Sequence, residues 1–181
     1  MLAVSNVSAI EIGPTGSGVE MSGFIDLAFT ENGKNTESSS VGQVEVNFDY
    51  ASGPVSASVD LDFYDSKTEG STLEEAVVTY DFGNGFSVSA GKMLSYLGFE
   101  AYDPTNMFQY SYGYDSNGGQ AIYDSYDVGV SFDYGTADYS IGVWTSAENE
   151  AGYELSLAFT GVENLTAKAI WSDFTASSTD P

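Results

Sequence analysis

The chain has 181 residues, with 27 Asp and Glu against 4 Lys and no Arg, and a formal charge of -23 at pH 7. Nucleic acid is excluded as a partner, because its phosphates require clustered cations. With neither Cys nor His, the chain has no disulfide scaffold, no thiolate or imidazole metal site and no Ser-His-Asp relay, so neither an enzyme nor a cofactor is expected.

A charge this high often marks disorder, but 42 % hydrophobic and 14 % aromatic residues supply enough apolar surface for an ordered fold. Twenty Gly, many Ser, Thr and Tyr, and few Leu or Lys favour strands, so an all-β chain is expected. No apolar run approaches the length of a membrane-spanning helix. At the N-terminus there is no basic region followed by an apolar stretch, so no intact signal peptide is read. Residues 1–18, ending in Gly13-Pro14-Thr15-Gly16-Ser17-Gly18, read as a flexible lead-in to a single domain over 19–181.

From Val19 onward apolar and polar residues alternate, the period of a strand with two unlike faces. The pattern predicts nine strands, over 19–30, 41–51, 54–64, 73–82, 86–92, 125–135, 137–145, 152–161 and 165–174. Ala51-Ser52-Gly53-Pro54, Gly83-Asn84-Gly85, Gly135-Thr136-Ala137 and Gly161-Val162-Glu163-Asn164 read as tight turns, whose Gly and Asn tolerate the positive φ of short hairpins. Longer polar connections around 31–40, 65–72, 93–124 and 146–151 alternate with them. The expected architecture is an antiparallel up-and-down meander with one short-turn edge and one long-loop edge.

Its two faces are chemically unlike. One collects Val19, Ile25, Leu27, Val46, Val59, Leu61, Val78, Val130, Val143, Leu157 and Trp171 with further apolar residues, and no charge or amide. The other carries Asp26, Glu45, Asp49, Asp60, Asp62, Glu75, Asp81, Asp127, Asp133 and Glu154 among Ser, Thr, Gly and Asn, with only Phe24, Val77, Trp144 and Ile170 large and apolar. A soluble sandwich would turn the apolar face inward, and an outer-membrane barrel would turn it to lipid around a wet lumen. Three features favour the barrel. Aromatics gather at both strand ends, such as Tyr50, Phe82, Phe86 and Tyr134 at one edge and Phe29, Phe63 and Tyr126 at the other, like interfacial girdles. The apolar face is unbroken by charge, and the strands approach the length of a tilted bilayer crossing.

The acidic residues of the polar face are therefore either candidate pore-lining groups, whose summed potential would concentrate cations, or a solvated acidic face that only keeps the protein soluble. Asp60 and Asp62 read as successive lumen positions in preference to an acid/base or metal pair, and Glu74 and Glu75 are expected on opposite faces. Asp115-Ser116-Asn117-Gly118-Gly119 lacks the fifth-position ligand and closing Glu of a calcium loop, so no metal site is expected. The long loop 93–124 is Tyr-rich and too long to be a mere connection. It is expected to fold inward and narrow the channel, with Lys92, Glu100, Asp103, Tyr110 and Tyr112 as constriction residues. Lys92 has Glu100 and Asp103 as candidate ion-pair partners, and Tyr110, Tyr112 and Tyr114 form a possible sugar-stacking platform.

Ser22-Gly23-Phe24-Ile25-Asp26, the Gly91-Lys92 step followed by Gly98-Phe99-Glu100, and Asn106 ahead of Tyr110-Ser111 carry a resemblance. On these motifs the chain resembles the OmpL-like β-barrel porins of bacterial outer membranes. The resemblance implies a single-domain transmembrane β-barrel that acts as a passive channel without catalytic residues, with the lipid bilayer and small hydrophilic solutes or cations as partners. Porins commonly trimerise, so a homo-oligomer is allowed, although no residue marks an interface. Where the family has a basic residue after the Tyr-Ser pair, Tyr112 stands here, and no anion-attracting role is carried over. The family's chains are longer, nine strands is an odd number, and Ala176–Pro181 lacks a terminal aromatic, so an incomplete barrel fragment is expected. The expected function is a cation-preferring diffusion porin of a Gram-negative outer membrane. The alternatives are a secreted soluble β-sandwich binding carbohydrate through surface aromatics, and a small non-conducting structural barrel.

Overall fold

The computed structural model describes residues 2–31, 37–63, 71–97, 105, 126–146 and 152–173. Ten strands follow one another: β1 (Leu2–Glu11), β2 (Val19–Glu31), β3 (Glu37–Ser52), β4 (Val55–Phe63), β5 (Ser71–Asp81), β6 (Phe86–Leu94), β7 (Tyr126–Gly135), β8 (Tyr139–Ser146), β9 (Tyr153–Val162) and β10 (Leu165–Asp173). Each pairs antiparallel with the next, giving one up-and-down sheet in chain order that is open between β1 and β10. Among the described residues no helix is long and apolar enough to cross a membrane.

The nine expected strands are β2 to β10, and β1 is additional. The expected flexible lead-in is corrected accordingly: residues 2–11 pair with β2 from Leu2↔Ala28 to Glu11↔Glu20. Between Val7 and Ile10 the register shifts, so two residues of β1 oppose one of β2. That extra residue breaks the period of two on which the strand would have been recognised. Residues 12–18 close the hairpin as a turn, in which Ser17 N–H donates to Pro14 O at 2.9 Å and Ile12 N–H to Val19 O at 2.9 Å.

The remaining short turns fall as expected. Gly85 adopts φ 85°, and a Cβ there would run into the Gly135 carbonyl oxygen, so only glycine fits. Asn164 is the described non-glycine residue with positive φ, at 61°, and it turns β9 into β10.

Burial inverts the soluble pattern. Among the described residues the buried hydrophobics are Phe24, Met93 and Trp144, and register places all three on the carboxylate face. Their buried neighbours are polar: Gln43, Glu45, Asp62, Ser95, Ser131, Ser146 and Glu154. On the opposite face Val78 is 53 % exposed, Leu157 52 % and Trp171 54 %. Monomeric soluble proteins rarely leave so continuous an apolar surface uncovered.

Curvature makes the polar face concave. Glu154 shares a cross-strand rung with Trp144, Ser131 and Ser89, whereas Leu94 ends β6. On a flat sheet Leu94 and Glu154 would lie about 20 Å apart, from strand spacing and rise. Yet Tyr96, two residues beyond Leu94, donates its backbone N–H to Glu154. Two residues of extended chain span only about 7 Å. The sheet must therefore curl from β6 to β9, with its carboxylates inside the curl.

Candidate functional site

The concave wall is built from side chains that alternate with the apolar ones along every strand. Toward the long-loop end of β3 to β5, Gln43 Nε2 donates to Asp62 Oδ1 at 2.8 Å and Asn47 Nδ2 to Glu45 Oε1 at 2.6 Å. Carboxylate oxygens of Glu45, Asp62 and Glu74 lie within 4.8 Å of one another. These are hard oxygen donors of the type that calcium or magnesium prefers. Glu74 reaches this group through a bulge: Asp60 pairs with Glu75 and Leu61 with Leu73, leaving Glu74 as the extra residue of β5. The expectation that Glu74 and Glu75 face opposite ways is corrected by that insertion. Leu73-Glu74-Glu75-Ala76 already carries the signal, since its apolar residues stand three apart in a segment of period two.

Across β4 to β7 the wall is lined by small groups. Ser58 Oγ donates to Glu75 Oε1, Thr79 and Ser89 share a hydrogen bond of 2.8 Å, and Gly91 faces Gly129. A Cβ on Gly129 would fall 3.0 Å from Trp144 Nε1, so the indole lies over this bare stretch of backbone. At the short-turn end a cavity of 530 Å³ is lined by Glu20, Asp49, Ser56, Ser58 and Thr79 with neighbouring residues.

The last part of the wall receives chain from β6. Ser95 Oγ donates to Glu154 Oε1 at 2.6 Å and Tyr96 N–H to Glu154 Oε2 at 2.6 Å. The Tyr96 hydroxyl donates to Asp133 Oδ1, which is supported by Ser131 Oγ on its other oxygen at 2.7 Å. Lys168 Nζ donates to the Tyr96 carbonyl at 3.2 Å. Burial first, then the hydrogen bond to Asp133, push the Tyr96 phenol above its ordinary value near 10, so it remains a donor.

Register places every candidate pore-lining carboxylate on this concave face. Asp49 and Asp81 are exposed there, Asp26, Asp60, Glu75, Asp127 and Asp133 half-buried, and Glu45, Asp62 and Glu154 buried. Asp127 Oδ2 accepts from Ser146 Oγ at 3.4 Å. Lys92 lies elsewhere. β6 continues past it to Leu94 with its alternation intact, which puts Lys92 on the apolar face between Ala76 and Val128. Its Nζ donates to Leu73 O at 2.6 Å, so its expected place in a constriction is corrected. Glu100, Asp103, Tyr110 and Tyr112 lie outside the described residues.

A family described as "Putative beta-barrel porin-2, OmpL-like" matches residues 19–172. The chain belongs to the OmpL-like β-barrel porin family. No curated protein and no solved structure matches it. The family match begins with the first residue of β2 and ends within β10, so it spans nine of the ten strands. Ser95, Tyr96 and Gly142 are the features of this porin wall that sequence reasoning missed. None belongs to a periodic pattern of charge, and Tyr96 meets partners 37 and 58 positions away in the chain.

Proposed function

We propose that this chain forms the wall of a passive diffusion channel in a Gram-negative outer membrane, through which small hydrophilic solutes pass with a preference for cations. The observation that carries the reading is the inverted burial: Glu45, Asp62 and Glu154 are shielded inside the curl, while Val78, Leu157 and Trp171 cover its outside. Lipid would satisfy that outer surface, and a wall of carboxylates raises the local concentration of cations while repelling anions. A soluble carbohydrate-binding sandwich would bury the opposite face.

Reconstitution of the full chain in planar bilayers under a salt gradient tests this. The expected result is discrete conductance steps with a reversal potential of the sign for cation flow. Anion preference would refute the charge selection, and recovery of the protein in the aqueous fraction after membrane extraction would refute the channel itself. The non-conducting alternative draws on Phe24, Met93 and Trp144, three large apolar side chains buried on the concave face. Folded, membrane-inserted protein without conductance steps would decide in its favour.

A further inference from the structure

The shielding of Glu154 is not what a solvated acidic wall requires. It is the second residue of β9 and is fully buried, whereas Asp49 and Asp81 on the same concave face are exposed. A buried carboxylate is costly unless hydrogen bonds hold its charge. Here both oxygens are engaged by the chain leaving β6, through the Ser95 hydroxyl and the Tyr96 amide.

The same short stretch is fitted to three further strands. Leu97 N–H donates to Ser95 Oγ at 3.0 Å, closing a local turn. Asp133 of β7 accepts from the phenol, and Lys168 of β10 donates to the Tyr96 carbonyl. On β8, Gly142 leaves room for the ring: a Cβ at that position would fall 2.6 Å from both the Tyr96 hydroxyl oxygen and Asp133 Oδ1. Chain that merely connected β6 to β7 would have no reason to touch β8, β9 and β10.

We propose that Ser95, Tyr96 and Leu97 form a strap that narrows the lumen from within, and that Glu154 is its positioning residue. This inference rests on the diffusion-channel reading of the wall. Glu154 thereby shapes the passage without contributing an open charge to it, while Asp133 and Gly142 orient the tyrosine ring that occupies the space. Cations would be attracted by the exposed carboxylates and sieved by the strap.

The test uses the full chain as wild type, E154Q, S95A and G142A, with two readouts. The first is hydrogen exchange at the Tyr96 amide in lipid bicelles. Loss of a charge-assisted hydrogen bond predicts exchange faster by at least about tenfold in E154Q, with a smaller rise in S95A, while the amides of Leu155 and Leu157 stay protected. The second is single-channel conductance with neutral polymers of graded size. All three variants are expected to conduct more than wild type and to admit larger polymers. Unchanged Tyr96 exchange in E154Q would overturn the anchoring role. Faster exchange with unchanged conductance and size cut-off would overturn the narrowing role. If E154Q fails to fold, S95A and G142A decide, since neither alters a charge. If wild type does not conduct, the channel reading fails, and the exchange measurement still decides whether Glu154 holds the strap.

Discussion

Replacing Leu157 by lysine separates a lipid-facing surface from a water-facing one. Leu157 lies on the apolar face of β9, 52 % exposed, between Tyr153 and Phe159. Its cross-strand neighbours are Ile141 and Ala169, and neither offers a partner for an ammonium. At about 3.4 Å rise and a tilt near 40°, Tyr153 and Phe159 are separated by roughly 16 Å of membrane depth, which leaves Leu157 about 5 Å from the nearer aromatic level. Lysine on the lipid face costs about 2–4 kcal/mol at the midplane and little at the interface, so L157K should lose about 2 kcal/mol. Urea titration of folding into phosphatidylcholine vesicles, followed by gel mobility, measures this. As a control, Ser56→Lys places the same charge on the concave face beside Glu20 and Asp49, where about 0.5 kcal/mol or less is expected. Were L157K to fold as stably as S56K, the outer surface would not be facing lipid.

Three further outcomes are expected. Phe82 packs against Tyr80 at 4.8 Å and Phe86 at 5.2 Å between ring centroids, so Phe82→Ala should cost about 1–2 kcal/mol in the same vesicle assay by removing two aromatic contacts at the short-turn girdle. Neutralising the cavity at that end with Glu20→Gln and Asp49→Asn should shift the reversal potential toward zero with stability kept, because both side chains are exposed. Because the Tyr96 phenol is raised in the folded protein, its contribution to stability is fully present below the unfolded value near 10 and is lost only as pH climbs through the higher folded value. Ultraviolet titration of tyrosine ionisation in wild type and Y96F should therefore show the missing group in the late, most alkaline part of the curve, and a difference confined to its early part would contradict this.

Much of the fold was legible because, away from the strand ends, Lys92 is the one charge that interrupts the apolar face of the described strands. A slip by one residue would have put Asp60 or Asp133 among the valines, so which residues share a face followed from alternation, while which face turns inward needed the aromatic bands, the strand lengths and the family resemblance. Where the period breaks, legibility ends. β1 was hidden by its shift between Val7 and Ile10, and Glu74 by the bulge that turns it inward. Lys92 was misplaced because a lone cation at a strand end suggested a loop, although Ala90 and Leu94 mark it as an outward position. Ser95, Tyr96 and Gly142 were invisible for a different reason: their significance lies in a meeting of β6 with β8 and β9 that only the curl of the sheet brings about.

The two tryptophans of the chain stand on opposite sides of the wall, Trp144 at 1 % exposure beside Glu154 on the concave face and Trp171 at 54 % on the outer one. Their emission is consequently a ready optical probe. Brominated acyl chains should quench Trp171 and spare Trp144, and in a Trp171→Phe background the surviving indole would report, by its colour and by access of acrylamide, each loosening of the segment seated next to it.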